Sequence, residues 1–270
     1  MATQSQTNDN WNAADYANSS SAQKKWADEM LNVLNLGGSE TILDVGCGDG
    51  KITAEIGCRL ADGSVVGIDR SSEMIALAKK TYQNSNINFE QRDAEKIEDE
   101  ARFDIIFSNA VLHWIKDHQN LLSRFFRALK PGGRLLLQMG GKGNCEAFAV
   151  IARELIGSAD WRNYFTDFSY PYFFYDDSTY LKWLDAAGFT IETVSLLPKD
   201  MVHQNTDELK GWLRTTWFPF TDCLPKSRRD EFLETMLSRY LVDVPPDSSG
   251  KTHVDMVRLE VHAHKNEATT

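Results

Sequence analysis

The sequence predicts an α/β fold in which a parallel sheet is covered by helices on both faces. Two observations support this prediction. Short apolar runs alternate with amphipathic segments from residue 41 to residue 139, and a glycine-rich turn joins the first run to the first helix. The chain has 270 residues, is 42% hydrophobic and includes 7 Trp, 8 Tyr and 14 Phe, so it can bury a sizeable core. We expect a disordered tail at 1–10 and a single domain over 11–270.

The alternating elements follow one another with short connections. A helix at 21–36 is predicted by apolar residues at helical spacing and ends before two glycines. Strands are predicted at 41–45, 65–68, 87–90, 103–107 and 134–139, helices at 50–60, 71–82 and 121–129, and a turn at 131–133. Ligands bind at the carboxyl ends of the strands in such sheets, so the loops after Val45, Ile68, Glu90 and Phe107 should converge. This region, 11–139, is the predicted cofactor-binding core.

The second half is less regular and is predicted to form a helical and aromatic lid from two insertions, 140–176 and 199–250. Helices are expected at 178–187, 206–217 and 226–241, and a strand at 189–196. In the last strand, 253–265, Val257 and Leu259 alternate with Arg258 and Glu260. This alternation predicts one apolar and one polar face, with Arg258 on the polar face.

Composition excludes several classes of protein. The formal charge of -10 disfavours nucleic acid as a partner, because such binding depends on basic residues. We see neither a signal peptide nor a membrane span, and the four separated cysteines predict no metal or disulfide site. We therefore expect a cytoplasmic protein that is a monomer or weak dimer.

The strongest motif is Leu43-Asp44-Val45-Gly46-Cys47-Gly48-Asp49-Gly50, placed between a strand and a helix. Its glycines allow a tight turn and close approach of the backbone to a ligand. A plain strand-to-helix turn is one alternative. A dinucleotide-binding loop is another, although Lys51 stands where that motif has glycine. Asp44 and Asp49 would repel phosphates and suit a cationic ligand better.

Three further positions extend the motif. Asp69, at the end of the second strand, is placed to bind two ribose hydroxyls, or else caps the helix that begins near Ser71. Asp93-Ala94 follows the third strand, and Asn109 follows the fourth.

This ordered set resembles the class I S-adenosylmethionine-dependent methyltransferases over residues 40–140. The resemblance implies a Rossmann-like, doubly wound, seven-stranded sheet whose last strand is antiparallel, and S-adenosyl-L-methionine as the cofactor. It also implies that Asp93 lies beside the adenine amino group and Asn109 beside the methionine part of this cofactor. The cofactor-binding residues that we predict are Asp44, Gly46, Cys47, Gly48, Asp69, Arg70, Met74, Asp93, Ala94 and Asn109.

Two more stretches narrow the resemblance. The segment Trp11-Asn12-Ala13-Ala14-Asp15-Tyr16 followed by Gln23 resembles the trans-aconitate methyltransferases. Tyr16-x-x-Ser19 with Gln23-Lys24 is similar to the juvenile hormone acid methyltransferases, and both families share Leu112-His113-Trp114 followed by an acidic residue, here Asp117. Both families esterify a carboxylic acid. Tyr16 and Gln23 are thus added to the cofactor-binding residues. His113 and Trp114 are the predicted catalytic residues, a hydrogen-bond donor and a pocket wall, although each has a purely structural alternative.

The acceptor site is predicted in the lid, because an arginine is the usual bidentate partner of a carboxylate. The candidates are Trp114, Arg153, Arg162, Arg214, Trp217, Lys142 and Trp212. The aromatic cluster over 161–175 either lines an apolar pocket or packs the lid.

We expect an enzyme that methylates a small carboxylic acid, either trans-aconitate-like or lipophilic. A phenol, a carbon nucleophile or a malonyl carrier protein is an alternative acceptor. A protein that binds the cofactor without catalysis is the alternative of another class.

Overall fold

The computed structural model describes residue 26 and residues 28–267. Within them the chain divides into two compact units. The first, which we call the sheet unit, comprises Trp26–Asn144, Tyr172–Lys199 and the segment from Met256 to residue 267. The second, the helical unit, comprises Cys145–Pro171 and Asp200–Asp255.

A seven-stranded sheet in the order β3-β2-β1-β4-β5-β7-β6 forms from the described residues. Its strands are β1 (Thr41–Val45), β2 (Ser64–Asp69), β3 (Ile87–Gln91), β4 (Phe103–Asn109), β5 (Leu129–Gly140), β6 (Thr190–His203) and β7 (Thr252–His264). Strands β1 to β5 pair in parallel, and β7 pairs antiparallel with β5. The predicted fold class is confirmed, including the antiparallel last strand.

Helices cover both faces of this sheet. Those of the sheet unit are α1 (Lys51–Cys58), α2 (Ser72–Thr81), α3 (His118–Ala128) and α5 (Asp177–Ala187). On one face α3 and α5 pack on β1, β4 and β5 through residues such as Phe125 and Leu184. On the other, α1 and the helical residues 28–33 pack through Ile56 and Met30. Two apolar cores therefore enclose the parallel strands, as a doubly wound sheet requires.

Helix starts follow local sequence signals. The Ser71 side chain accepts a hydrogen bond from the Met74 N–H and caps α2, as expected for a serine before an apolar-periodic segment. Asp117 and Asp176 cap α3 and α5 in the same way. Gly188 ends α5 with a positive φ of 96°. These caps fix where the helices begin and end relative to the strands.

The sequence prediction was wrong at two places. The turn predicted at 131–133 lies inside β5, where the register with β4 shifts between Phe103 and Ile105 and Gly132 adopts a φ of 75°. The extra residues form a bulge, so the strand is not interrupted. In β7, Arg258 is only 3% exposed and therefore does not lie on a solvated polar face. Its guanidinium packs 4.6 Å from the Trp26 ring centroid, which removes it from water.

The helical unit is held together by aromatic packing. It contains α4 (Glu146–Gly157), α6 (Thr206–Thr216), α7 (Phe218–Thr221) and α8 (Lys226–Asp243). Phe148 of α4 stacks on Tyr240 of α8 with ring centroids 4.0 Å apart, and Trp161 meets Phe232 edge-on at 5.1 Å. These contacts bury the faces of α4 and α8 against each other.

None of the helices among residues 26 and 28–267 is both long and apolar enough to span a membrane. The division into a core at 11–139 and lid insertions at 140–176 and 199–250 stays a prediction, as do the cytoplasmic location and the oligomeric state. The predicted tail at 1–10 and the residues Tyr16 and Gln23 lie outside the described residues.

Candidate functional site

The glycine loop turns sharply between β1 and α1. Its backbone is anchored to β2, because the N–H groups of Gly46 and Cys47 both donate to the Ile68 carbonyl, at 2.8 and 2.9 Å. Gly46 has a φ of 78°, and a Cβ atom added there would lie 2.4 Å from the Val111 side chain. Only glycine fits both conditions. The loop is thus packed tightly against the segment that follows β4.

Gly48 differs from Gly46, because a Cβ atom added there would meet nothing within 4 Å. Its N–H donates to Asp69 Oδ2 at 3.1 Å, and Asp69 Oδ1 accepts from the Ser71 N–H at 2.8 Å. Asp69 therefore joins the loop to the start of α2 while staying partly exposed. A carboxylate has about four acceptor positions, so it retains capacity for a ligand. The open side of Gly48 is where a ligand can approach the backbone.

Asp44 is buried directly beneath the loop, with 2% exposure. Burial raises its pKa from 3.8 to about 7, against the effect of the Thr53 hydroxyl, which donates to Asp44 Oδ2 at 2.6 Å. The Asp69 charge raises this pKa further. A buried carboxylate of this kind is stabilised in its ionised form by a nearby positive charge. In the loop itself, burial raises the pKa of the Cys47 thiol, which stays protonated.

The ends of β3 and β4 contribute the other predicted residues. Asp93 accepts from the Glu95 N–H at 3.0 Å and caps the turn Ala94–Lys96, with 39% of its side chain exposed. Asn109 ends β4, and its buried Oδ1 has no hydrogen-bond partner among the described residues. Buried polar atoms are nearly always paired, so this oxygen is placed to accept a hydrogen bond from a ligand. Of the remaining candidates, Arg70 is exposed and Met74 half-buried at the start of α2.

His113 and Trp114 lie together on the short 3₁₀ turn Leu112–Trp114 that follows β4. The His113 ring is surrounded by Trp114, Phe174 and Tyr172, with ring centroids 5.7, 5.9 and 6.2 Å away. Its Nδ1 accepts a hydrogen bond from the Gly140 N–H at 3.4 Å, which places the ring proton on Nε2. Burial lowers the pKa of His113 to about 3, assisted by the charge of Arg258. His113 is therefore neutral and a donor through Nε2.

A buried pair, His118 and Tyr180, anchors the turn that carries His113. His118 Nε2 contacts the Leu112 carbonyl oxygen at 2.7 Å, and His118 Nδ1 contacts the Tyr180 hydroxyl. The carbonyl is only an acceptor, so Nε2 carries the proton and Nδ1 accepts from the tyrosine. Burial lowers the pKa of His118 to about 4, so the ring is neutral. No local sequence pattern indicates this pair, because its two members lie 62 residues apart.

We expect Tyr180→Phe to lower the free energy of unfolding by about 1–3 kcal/mol, because it leaves the buried Nδ1 of His118 without a donor. Urea denaturation measures this change. The matched control is Tyr164→Phe, since Tyr164 is 37% exposed. Equal stability of the two variants would contradict the role given to the Tyr180 hydroxyl.

Five of the predicted acceptor residues, three arginines and two tryptophans, lie in the helical unit. Arg153 is exposed and ion-paired with Glu146 at 2.6 Å, and Arg162 and Arg214 are also exposed. Trp217 and Trp212 are buried, with ring centroids 6.1 and 5.8 Å from that of Phe148. Lys142 belongs to the sheet unit, where its Nζ lies 3.4 Å from Asp176 Oδ2.

The sequence analysis also missed Arg258, a buried cation close to His113. Arg258 pairs with Gly140 across β5 and β7, and the Gly140 N–H donates to His113. The sequence signal for Arg258 is a cation in the middle of an apolar strand. The alternation along β7 predicts a polar face for it, and packing against Trp26 buries it instead.

Comparison with known proteins identifies the family. The chain is 31% identical over 265 residues to an uncharacterised methyltransferase of Schizosaccharomyces pombe, covering 95% of this chain and 98% of that one. The chain belongs to the S-adenosylmethionine-dependent methyltransferases. A methyltransferase domain model matches residues 36–167.

Two further proteins resemble this methyltransferase. The trans-aconitate 2-methyltransferase of Methylobacterium nodulans is 28% identical, and the match covers 94% of this chain and 98% of that one. A crystal structure of an S-adenosylmethionine-dependent methyltransferase from Mesorhizobium loti has a TM-score of 0.54 and 20% identity, covering 88% and 96% of the two chains. The structural likeness confirms the fold.

The residues of this methyltransferase fit S-adenosylmethionine on three independent counts. A Cβ atom at Gly48 would meet open space, and the buried Asn109 Oδ1 has no hydrogen-bond partner among the described residues. Asp44 is a buried carboxyl group whose ionised form a nearby cation would stabilise. A sulfonium ligand with an ammonium group supplies both the positive charge and the missing donors. The assignment of individual residues to parts of the cofactor stays a prediction.

We expect the affinity for S-adenosylmethionine to rise as the pH rises through about 7. Asp44 is neutral below its pKa of about 7, and only its ionised form attracts the cationic cofactor. Calorimetry at several pH values between about 5.5 and 8 checks this dependence. In Asp44→Asn the affinity should be lower and lack this pH dependence.

The same raised pKa makes the unliganded protein less stable as the pH rises from about 4 to about 7, since the unfolded chain releases this proton more readily. Asp44→Asn should therefore raise Tm at pH 8 while it weakens binding. A variant that loses both stability and affinity at pH 8 would contradict this account of Asp44.

Proposed function

We propose that this methyltransferase transfers the methyl group of S-adenosylmethionine to a carboxylate oxygen of a small acid, giving a methyl ester. S-adenosylmethionine supplies the electrophilic methyl group. The observation that carries the proposal is the neutral charge state of His113, which precedes Trp114 on the turn after β4. Burial lowers its pKa to about 3.

A histidine with this pKa is a weak base at neutral pH. A phenol or alcohol acceptor needs a base with a pKa near the working pH to remove its proton. A carboxylic acid has a pKa near 4 and is already ionised, so it needs no base. It does need hydrogen-bond donors, and the Nε2–H of neutral His113 is one. The site therefore suits an acceptor that arrives as an anion.

The aromatic rings around His113 would assist the proposed methyl transfer in two ways. Trp114 and Tyr172 lie with ring centroids 4.8 Å apart, and Tyr172 stacks on Phe174 with an angle of 4° between the ring planes. Such rings exclude water from a carboxylate, and their faces favour a positive charge such as a sulfonium. Aligning the carboxylate oxygen with the methyl group contributes roughly 7–11 kcal/mol to lowering the barrier.

The relatives agree with an acid acceptor. Several proteins similar to this chain over most of its length are named trans-aconitate 2-methyltransferases, at 28 and 29% identity. The name gives trans-aconitate, a carboxylic acid, as the methyl acceptor of those relatives. This acceptor supports the class, a carboxylic acid, that the neutral state of His113 favours. The identity of the acid stays a prediction.

A matched panel of acceptors tests the proposal. The purified protein is incubated with S-adenosylmethionine and each of several acids, beside the amide and the alcohol that correspond to each acid. Mass spectrometry then detects products that are heavier by one methylene. We expect methyl esters from acids and no product from the amides or alcohols. Methylation of an alcohol or amide in preference to its acid would contradict the proposal.

A further inference from the structure

The segment Tyr172–Tyr175, which we call the strap, lies against the turn that carries His113. The Phe173 N–H donates to the His113 carbonyl oxygen at 2.8 Å. At the other end of the strap, the Lys142 N–H donates to the Tyr175 carbonyl oxygen at 2.9 Å, two residues after the end of β5. The strap therefore joins the turn after β4 to the chain that leaves β5.

The His113 ring contacts both the strap and β5. Tyr172 and Phe174 lie two residues apart, and their ring centroids are 6.2 and 5.9 Å from that of His113. The Gly140 N–H donates to His113 Nδ1 at 3.4 Å. Because this bond occupies Nδ1, the direction in which the Nε2–H points depends on how the turn and the strap are placed.

Tyr175 is linked to both ends of the segment 112–116, which contains the turn. Its hydroxyl donates to the Lys116 carbonyl oxygen at 2.7 Å. Its ring meets the His118 ring edge-on, with centroids 4.8 Å apart, and His118 Nε2 in turn contacts the Leu112 carbonyl oxygen at 2.7 Å. The hydrogen bonds within a 3₁₀ turn have poor geometry, so contacts of this kind decide where its side chains lie.

The Tyr175 hydroxyl contributes little to the stability of the fold. Its bond to Lys116 is exposed to solvent, so water replaces it when the hydroxyl is removed. Removal therefore costs less than removal of a buried hydroxyl such as that of Tyr180. A misplacement of about 1 Å at a reacting centre, in contrast, costs roughly 100-fold in rate. The effect of the Tyr175 hydroxyl should thus be found in catalysis.

We propose that Tyr175 is a positioning residue, which through the strap and the turn keeps the Nε2–H of His113 directed at the methyl acceptor. This inference rests on the proposed function, which makes His113 the hydrogen-bond donor to the acceptor carboxylate. Tyr175 acts on the reaction only through His113.

Tyr175→Phe tests this role, because it removes the hydroxyl and keeps the ring that packs against His118 and Trp183. The matched control is Tyr240→Phe, since the Tyr240 hydroxyl also donates to a backbone carbonyl oxygen, that of His253, at 2.6 Å. Tyr240 belongs to the helical unit and is only 3% exposed, so its variant should lose at least as much stability. Affinity for S-adenosylhomocysteine reports whether each variant folds.

We expect Tyr175→Phe to lower kcat about 10-fold, as a displacement of less than 1 Å does, and to leave KM for S-adenosylmethionine unchanged. Tyr240→Phe should keep the kcat of the wild type. In a His113→Leu background Tyr175→Phe should have little further effect on kcat, because residues that act through one another are not additive. Unchanged kcat in Tyr175→Phe, or an equal loss in the two backgrounds, would overturn the inference.

The His113 ring also gives a readout that needs no acceptor. The nearby rings of Tyr172 and Phe174 shift the NMR resonance of the His113 Cε1–H, which is assigned among the six histidines by its absence in His113→Gln. In the protein saturated with S-adenosylhomocysteine, this resonance should move in Tyr175→Phe and stay in place in Tyr240→Phe. An unmoved resonance in Tyr175→Phe would contradict the placement of His113 by Tyr175.

Turnover by the wild type separates this inference from the proposed function. The kinetic comparison uses whichever compound of the acceptor panel is methylated. Methylation of an alcohol in preference to its acid contradicts the proposed function alone, and the kinetic comparison then still decides the role of Tyr175. If no compound is methylated, the NMR comparison decides it.

Discussion

Gly46→Arg is expected to abolish binding of S-adenosylhomocysteine. The backbone at Gly46 has a φ of 78°, and even a Cβ atom there would lie 2.4 Å from Val111. Any side chain therefore forces the loop away from the segment after β4. The displaced loop also moves the Gly48 N–H, which donates to Asp69 Oδ2. Isothermal titration calorimetry measures the loss, and normal affinity in this variant would contradict the role given to the loop.

Two glycine variants distinguish loss of binding from loss of the fold. Gly48→Ala adds a methyl group to open space at a φ of 54°, so the protein should fold with a strained loop backbone, and the added group occupies room that a ligand needs. We expect affinity to fall roughly tenfold, since overpacking by one methyl group costs about 1–3 kcal/mol. Gly250→Ala is the matched control, because Gly250 also has a positive φ, of 84°, and a Cβ atom there meets nothing within 4 Å, so this variant should bind normally. Equal affinity of Gly48→Ala and Gly250→Ala would show that no ligand approaches Gly48.

His113→Leu is expected to lower kcat/KM for the acceptor by about 100- to 1,000-fold, as removal of one preorganised donor does. The reason is that leucine keeps the bulk of the ring inside the cluster of Trp114, Tyr172 and Phe174 but offers no N–H. Steady-state kinetics at saturating S-adenosylmethionine measures this change. Binding of S-adenosylhomocysteine should be unaffected.

His113→Gln is the matched variant, because its amide supplies an N–H donor without a titratable ring. It should retain most of the activity that His113→Leu loses. In the wild type, kcat/KM at saturating cofactor should not titrate with His113 between about pH 5 and 9, since the pKa of this ring is about 3. Loss of activity in His113→Gln equal to that in His113→Leu, together with a pH profile rising near 6.5, would indicate a general base instead.

The residues proposed to bind the cofactor were predictable as neighbours from the sequence, because they belong to local motifs. Asp44, Gly46 and Gly48 lie within five residues of one another, and Asp69 and Asn109 mark strand ends that parallel pairing brings to one edge. A short pattern between a strand and a helix therefore predicts that these residues lie close together. The antiparallel last strand was predicted from the family resemblance.

The surroundings of His113, the proposed acceptor site, were harder to predict, because their contacts join distant parts of the chain. Arg258 is buried by Trp26, which lies more than two hundred residues earlier, and no alternation within β7 reports that contact. The anchoring of His113 depends on His118 and Tyr180, which meet only when α3 and α5 pack side by side. Side-chain pairs of this kind are decided by tertiary packing rather than by local pattern.

The chemical stability of the transferred methyl group tests the central claim most directly. The protein is incubated with methyl-labelled S-adenosylmethionine and the acid acceptor, and the labelled product is treated with mild alkali. A methyl ester hydrolyses and releases the label as methanol, which is volatile. We predict that alkali releases the label from the product. A label that stays in a non-volatile, base-stable product would contradict carboxylate methylation and favour an ether or a carbon–methyl bond.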